Sequence, residues 1–299
     1  MAEPSIDAAR FEYPVRKLAM NVSIDVSSSD VRRTIELVVA LPIELETFVP
    51  WLPNTTPEAM IVAAESLRRS GMTPVPHVAA RRLGSATEAR HLLAGLRGRA
   101  GVETVLLIGG DVTRPTGPYQ SSLELLRSGA FQAAGIRSVG FAGYPEGRPG
   151  IAPETLWQSL HDKLDYARTS GLETFIVSQF CFDGAAIAAW IKRLRTRGIV
   201  VPVRIGVAGP AKLRKLLQVG LRYGVGSSLR VLKHRIGSAA RLLATHGPDD
   251  VLHDVAATIG GTSHLDRVSL HVFAFGGIEL TARWLARFRD GLFFLTKEG

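Results

Sequence analysis

The chain has 299 residues, 46% of them hydrophobic, which suits one large α/β domain or two smaller ones with a true core. Its single cysteine, Cys181, excludes an internal disulfide framework and a thiolate-rich metal site, and points to a reducing cytoplasm. The net charge of +9 comes from arginines and lysines scattered at the spacing of solvated helix faces. It is compatible with a polyanionic small molecule, but no nucleic-acid module accompanies it. Residues 1–20 are broken by charges and do not read as a signal peptide, and no apolar run is long enough to span a bilayer.

In chain order, β-branched runs alternate with amphipathic segments. A strand over 19–26 carries Asp25 near its end, and the capping-rich Ser27-Ser28-Ser29-Asp30 leads to a helix over 30–41. A strand over 46–50 ends at Trp51, and Thr56-Pro57 starts a helix over 57–70. The strand over 73–78 brings His77, and Ser85 caps a helix over 86–97. Residues 103–108 lead to Gly109-Gly110-Asp111 and a helix over 121–133; residues 137–141 lead to Tyr144-Pro145-Glu146 and a helix over 153–169. The strand over 173–178 runs into Gln179-Phe180-Cys181-Phe182-Asp183, where Asp183 opens a helix over 184–196. A strand over 201–205 stops at Gly206, with helices over 211–222, 236–245 and 249–259 behind it. The last strand, 268–272, leads to Phe273 and Phe275 and a helix over 278–287.

Roughly eight strand–helix units in this length predict a single α/β chain folded as a (β/α)8 TIM barrel. Residues 1–18 read as an arm outside it, residues 19–299 as the barrel, and 223–248 as an enlargement of the seventh unit with extra helices. A doubly wound open sheet is the competing architecture, but Ser27-Ser28-Ser29-Asp30 stands where its glycine-rich fingerprint belongs.

In such a barrel the carboxyl ends of the strands gather at one mouth, and here they supply Asp25, Trp51, His77, Asp111, Tyr144, Gln179, Gly206, Phe273 and Phe275. No lysine stands at a strand end, which argues against Schiff-base chemistry; no His-x-His pair follows the first strand, which argues against a metal-dependent hydrolase, and no metal is expected. Each residue also has a plain structural reading. Asp25 suits a capping turn, His77 a rim hydrogen bond, Asp111 a tight turn after glycines, and Tyr144 a loop anchor. Together at one face they favour a site, with the Gln179 amide beside flat aromatic surface suited to the edge of a planar heterocycle.

Val22-Ser23-Ile24-Asp25, Pro76-His77, Gly110-Asp111, Gly143-Tyr144-Pro145-Glu146 and Ser178-Gln179-Phe180-Cys181-Phe182-Asp183 follow one another in an order and spacing that resembles the catalytic barrel of methylenetetrahydrofolate reductase. The similarity runs from about residue 19 to 288. It implies an FAD-dependent oxidoreductase that interconverts 5,10-methylenetetrahydrofolate and 5-methyltetrahydrofolate with NAD(P)H by ping-pong hydride transfer. By position, Asp25 would be the general acid, and Asp111 would contact both flavin and pterin. Gln179, Phe180 and Arg214 would meet the folate. His77, Gly110, Gln120, Tyr144, Arg148 and Lys163 would meet FAD. The partners implied are tetrahydrofolate derivatives and NAD(P)H, with no nucleic acid and no membrane; a homo-oligomer is compatible with it. Three departures stand out: Asp25 is one methylene shorter than the family's glutamate, Gly109 replaces an arginine, and Gly276-Gly277 replaces an asparagine–arginine pair. The alternative is a folate- or pterin-binding barrel with weak or lost flavin binding and no reductase activity.

Overall fold

The structure is a computed structural model that describes residues 17–18, 21–37, 45–236, 244–260 and 262–289. Its strands are β1 (Val22–Asp25), β2 (Glu46–Val49), β3 (Thr73–Ala79), β4 (Thr104–Ile108), β5 (Ser138–Gly143), β6 (Glu173–Ser178), β7 (Val203–Ala208), β8 (Ala211–Lys212), β9 (Thr245–His246) and β10 (Val268–Phe273). Eight of them close into a barrel in the order β1-β10-β7-β6-β5-β4-β3-β2, while β8 and β9 form a separate antiparallel pair. Parallel ladders join β2 to β3, β3 to β4, β4 to β5, and β10 to β7. Helices alternate with the strands, so the chain is a (β/α)8 barrel and not an open doubly wound sheet.

Local chemistry explains most of the boundaries. The helix Pro57–Arg69 has proline in its first turn, and the Thr56 hydroxyl accepts from the Ala59 amide. Ala86–Ala100 starts with a reciprocal box, in which Ser85 Oγ accepts from Glu88 N and Glu88 accepts from Gly84 N. It ends on Gly101 in the left-handed region. Asp183 caps Gly184–Thr196 by accepting from the amides of Ala185 and Ala186.

The structure differs from the expected elements in four places. The helix expected over 121–133 is two, Ser122–Arg127 and Ala130–Ala133, because Gly129 turns the backbone to a φ of 74° between them. The strand expected to stop at 205 continues to Ala208 through Gly206. Gly206 does not end the strand but marks close packing: a Cβ at 206 would run into the Ser178 carbonyl oxygen and stand 2.7 Å from the Phe273 ring. The extra helix of the seventh unit is Gly226–Ile236; the helix expected over 236–245 lies largely outside the described residues, and Thr245 itself pairs with Lys212. Of the expected arm, residues 1–16 lie outside the described residues, while Leu18 is fully buried and Lys17 holds Asp266 at 2.8 Å.

Contacts within the chain gather into two units, Met1–Ser23 with Tyr144–Gly150 and Ser178–Gly299, and Ile24–Gly143 with Ile151–Val177. In the second, Phe48, Val75, Leu106, Phe175 and Val177 converge in one buried cluster, with Phe48 edge-on to Phe175. Gly140 in β5 makes room for the Phe175 ring, which a Cβ there would overlap. In the first, Phe180, Phe182, Ala208, Ala211, Leu216, Val219, Val225 and Leu229 form the core beneath the helices Leu213–Tyr223 and Gly226–Ile236. No helix among the described residues is long and apolar enough to cross a membrane.

Candidate functional site

Asp25 is the last residue of β1, and its carboxylate lies 3.7 Å from His77 Nε2, both side chains nearly withdrawn from solvent at 15% and 10% exposure. The turn that follows is closed without it: Asp30 N donates to Ser27 O, Ser27 Oγ donates to Asp30, and Thr34 N donates to Asp30 O. The plain capping reading therefore belongs to Ser27 and Asp30, and Asp25 is left to face His77. That imidazole stands inside β3, in register with Leu106 and two residues before the strand ends, and packs edge-on against Phe48. Its ring is held by the sheet, a firmer mount than a rim loop.

Beyond β4, Gly110 adopts a φ of 97°, a conformation that side chains disfavour, and so turns Asp111 outward with half of its side chain exposed. Arg82, from the single 3-10 turn Ala80–Arg82 after β3, donates to Asp111 Oδ1 through both Nε (3.0 Å) and Nη2 (2.5 Å). Gln120 is exposed; its amide donates to Glu124, and Ser121 caps the next helix, so its backbone completes a capping box.

In the other unit, Gln179 is half-buried at the end of β6. Phe180 is only 2% exposed and forms the hub of an aromatic cluster, with Phe275, Phe273, Phe182 and Tyr223 at ring-centroid distances of 4.8, 5.5, 5.7 and 6.0 Å. Phe180 thus supports the aromatic surface and does not present it. Phe273 and Phe275 are half-buried and stacked on each other at 5.6 Å, and the exposed ring of the cluster is Tyr223, which strand-end reading did not find because it lies at the far end of a helix. The Cys181 thiol donates to Asp183 O at 3.4 Å, and burial, then the Glu146 carboxylate, push its pKa far up, so it is an inert core group.

The loop after β5 is anchored by Glu146, whose two oxygens accept from Ser228 N and Ser228 Oγ, each at 2.6 Å. Pro145 O accepts from Arg193, and Gly224 leaves space for Pro149. On this loop Arg148 lies against Tyr144, donating to its hydroxyl at 3.2 Å with the guanidinium 5.7 Å from the ring centre. Arg214 is exposed in the first turn of Leu213–Tyr223. The Gly276 backbone presses on the Pro210 carbonyl so closely that no side chain fits, which accounts for glycine at that departure from the resembling family.

Lys163 is not brought to a strand end. It lies ten residues into the helix Pro153–Thr169, about 15 Å from the helix start at 1.5 Å per residue. It is 8% exposed, its amine sits 5.6 Å from the centre of the Phe141 ring, and burial lowers its pKa to about 8. Within their own units, Lys163 is buried against β5, Arg148 lies against Tyr144, and Arg82 is bonded to Asp111.

Fold and residues together define a (β/α)8 barrel with a carboxylate–imidazole pair in one unit and an amide beside an aromatic surface in the other. No family model matches the chain. An uncharacterized protein from Clostridium thermocellum that binds two copies of 5-methyl-5,6,7,8-tetrahydrofolic acid aligns over 94% of this chain and 99% of its own, with a TM-score of 0.60 and 11% identity. A protein from Burkholderia cenocepacia J2315 assigned as a phosphonomutase aligns over 67% of this chain and 82% of its own, with a TM-score of 0.46 and 13% identity, too low to carry an argument. At these identities the likeness extends to the fold alone.

Proposed function

We propose that this chain binds a reduced folate and reduces the 5,10-methylene bridge to a 5-methyl group with NAD(P)H, Asp25 serving as general acid. The observation that carries this reading is the Asp25–His77 pair, a largely buried carboxyl 3.7 Å from an imidazole fixed in a barrel strand. The folate bound by the Clostridium thermocellum protein of the same fold supports the ligand class.

The chemistry needs both a proton and a hydride. Breaking the bond between the methylene carbon and N10 leaves an iminium at N5 and an electron pair on N10, which takes a proton from Asp25. A hydride then adds to the methylene carbon, giving the methyl group and oxidised nicotinamide. His77, 3.7 Å away, would return a proton to Asp25 between turnovers. The Gln179 amide would offer a donor and an acceptor to the pterin edge, and the exposed Tyr223 ring would offer packing for flat rings. An FAD, when bound, would take the hydride from the nicotinamide and pass it on. Two electrons from the nicotinamide suffice for the methyl product, so the hydride is taken from the nicotinamide itself.

The test follows NAD(P)H oxidation by the purified protein with methylenetetrahydrofolate, with and without added FAD, beside calorimetric titration with 5-methyltetrahydrofolate. Turnover without flavin, abolished in Asp25→Asn while methyltetrahydrofolate still binds, is the expected result. Turnover only with FAD would restore the flavin route. Binding without any turnover would favour a folate-binding barrel, a reading to which the two-folate ligation of the Clostridium thermocellum protein lends weight. Failure to bind the folate would overturn both.

A further inference from the structure

We propose that Arg82, from the turn after β3, is the positioning residue for Asp111. The proposal rests on the folate reading above together with the family resemblance, which implies that Asp111 meets the pterin, and adds to them the residue that orients that carboxylate.

The geometry is that of a clamp. Arg82 Nε and Nη2 both donate to Asp111 Oδ1, at 3.0 and 2.5 Å, and Nη1 donates to Pro53 O at 3.3 Å. Its side chain is only 12% exposed, whereas that of Asp111 is 51% exposed. The guanidinium is thus braced from the β2 loop, and it holds one oxygen of an otherwise open carboxylate. Oδ2 carries no bond among the described residues and is available to accept from a ligand. The neighbouring arginine ties down the rest of the segment. Arg81 N donates to Gly109 O at 3.0 Å, Thr116 N donates to Arg81 O at 2.9 Å, and Arg81 Nη2 donates to Thr113 O at 2.6 Å. Residues 109–116 contain no helix or strand, so these bonds from one dipeptide define their path.

An exposed ion pair adds little stability, so the value of this one lies in direction. Without it, Asp111 follows a glycine at a φ of 97°, and no other side chain among the described residues bonds to its carboxylate. Lysine cannot replace the clamp, because a point charge does not match the planar fork that meets Asp111 and Pro53 at once.

The experiment is calorimetric titration of 5-methyltetrahydrofolate into wild type, Arg82→Met, Arg82→Lys, Asp111→Asn and the Arg82→Met/Asp111→Asn double variant, with amide exchange of residues 109–116 measured on each ligand-free protein. If Arg82 works through Asp111, Arg82→Met weakens binding about tenfold, and the double variant binds within about twofold of Asp111→Asn alone. Arg82→Lys falls between wild type and Arg82→Met, and exchange across 109–116 quickens in Arg82→Met. Multiplying losses in the double variant, or wild-type affinity in Arg82→Met, would overturn the proposal. Absence of folate binding by wild type would sink the functional reading instead. In that case exchange decides the clamp itself: protection in Arg82→Met equal to wild type overturns it.

Discussion

Replacing Lys163 with methionine should stabilise the protein and leave ligand binding untouched. Burial against β5 moves the ammonium from 10.5 to about 8, with Asp162 opposing the shift only weakly. At about 1.4 kcal/mol per pKa unit, holding Lys163 charged at neutral pH costs the folded state about 3 kcal/mol. The cost is complete below the folded value, since the amine is then protonated in both states. It fades as pH rises from about 8 toward 10.5, where the unfolded chain also gives up its proton. Methionine keeps the stem's length and packing without a charge, so Lys163→Met should gain about 2 kcal/mol and roughly 5 °C in Tm at pH near 7. That advantage should shrink on titration toward pH of about 10. Calorimetric unfolding of both proteins across that range is the assay. Destabilisation at neutral pH, or weakened binding of a dinucleotide or folate, would refute the reasoning and return Lys163 to the phosphate-contacting role that family resemblance implies.

Two further outcomes follow from close packing and buried donors. Gly206→Ala forces a methyl group against the Ser178 carbonyl oxygen and the Phe273 ring, so it should cost about 2–4 kcal/mol in urea unfolding. A loss below about 0.5 kcal/mol would mean that β7 moves freely there. Glu146→Ala strips two acceptors from Ser228, which is fully buried, and should cost about 2–4 kcal/mol, with faster amide exchange across Gly226–Ile236; Glu146→Gln, keeping one carbonyl acceptor, should cost less. Equal losses in the two variants would show that the carboxylate is not acting through those bonds.

The barrel was legible because its signals are local. Ser85, Asp183 and Thr56-Pro57 announce helix starts by chemistry within four residues, and those helices begin where the caps put them. What escaped were features set by neighbours distant in sequence. Gly206 reads as a breaker until the Phe273 ring is seen beside it, and Phe180 reads as a free stacking face until four rings surround it. Lys163 falls among the FAD contacts by family resemblance, and the helical pattern does not say which turn meets Phe141. Arg82 lies 29 positions from the aspartate it holds, and no spacing rule joins the loop after one strand to the loop after the next.

Both carboxylates take their partners from β3 and its turn. Asp25 stands 3.7 Å from an imidazole carried by β3, and Asp111 accepts from Arg82 in the turn that follows the same strand. Each pair should be coupled within itself and not to the other. Asp25→Glu ought to gain little in wild type, since the added methylene brings the carboxyl against the His77 imidazole that already stands 3.7 Å away, and His77→Ala should slow turnover in both backgrounds by removing the proton return. If Asp25→Glu improves turnover with His77 intact, the shorter acid is a defect and not half of an adapted pair.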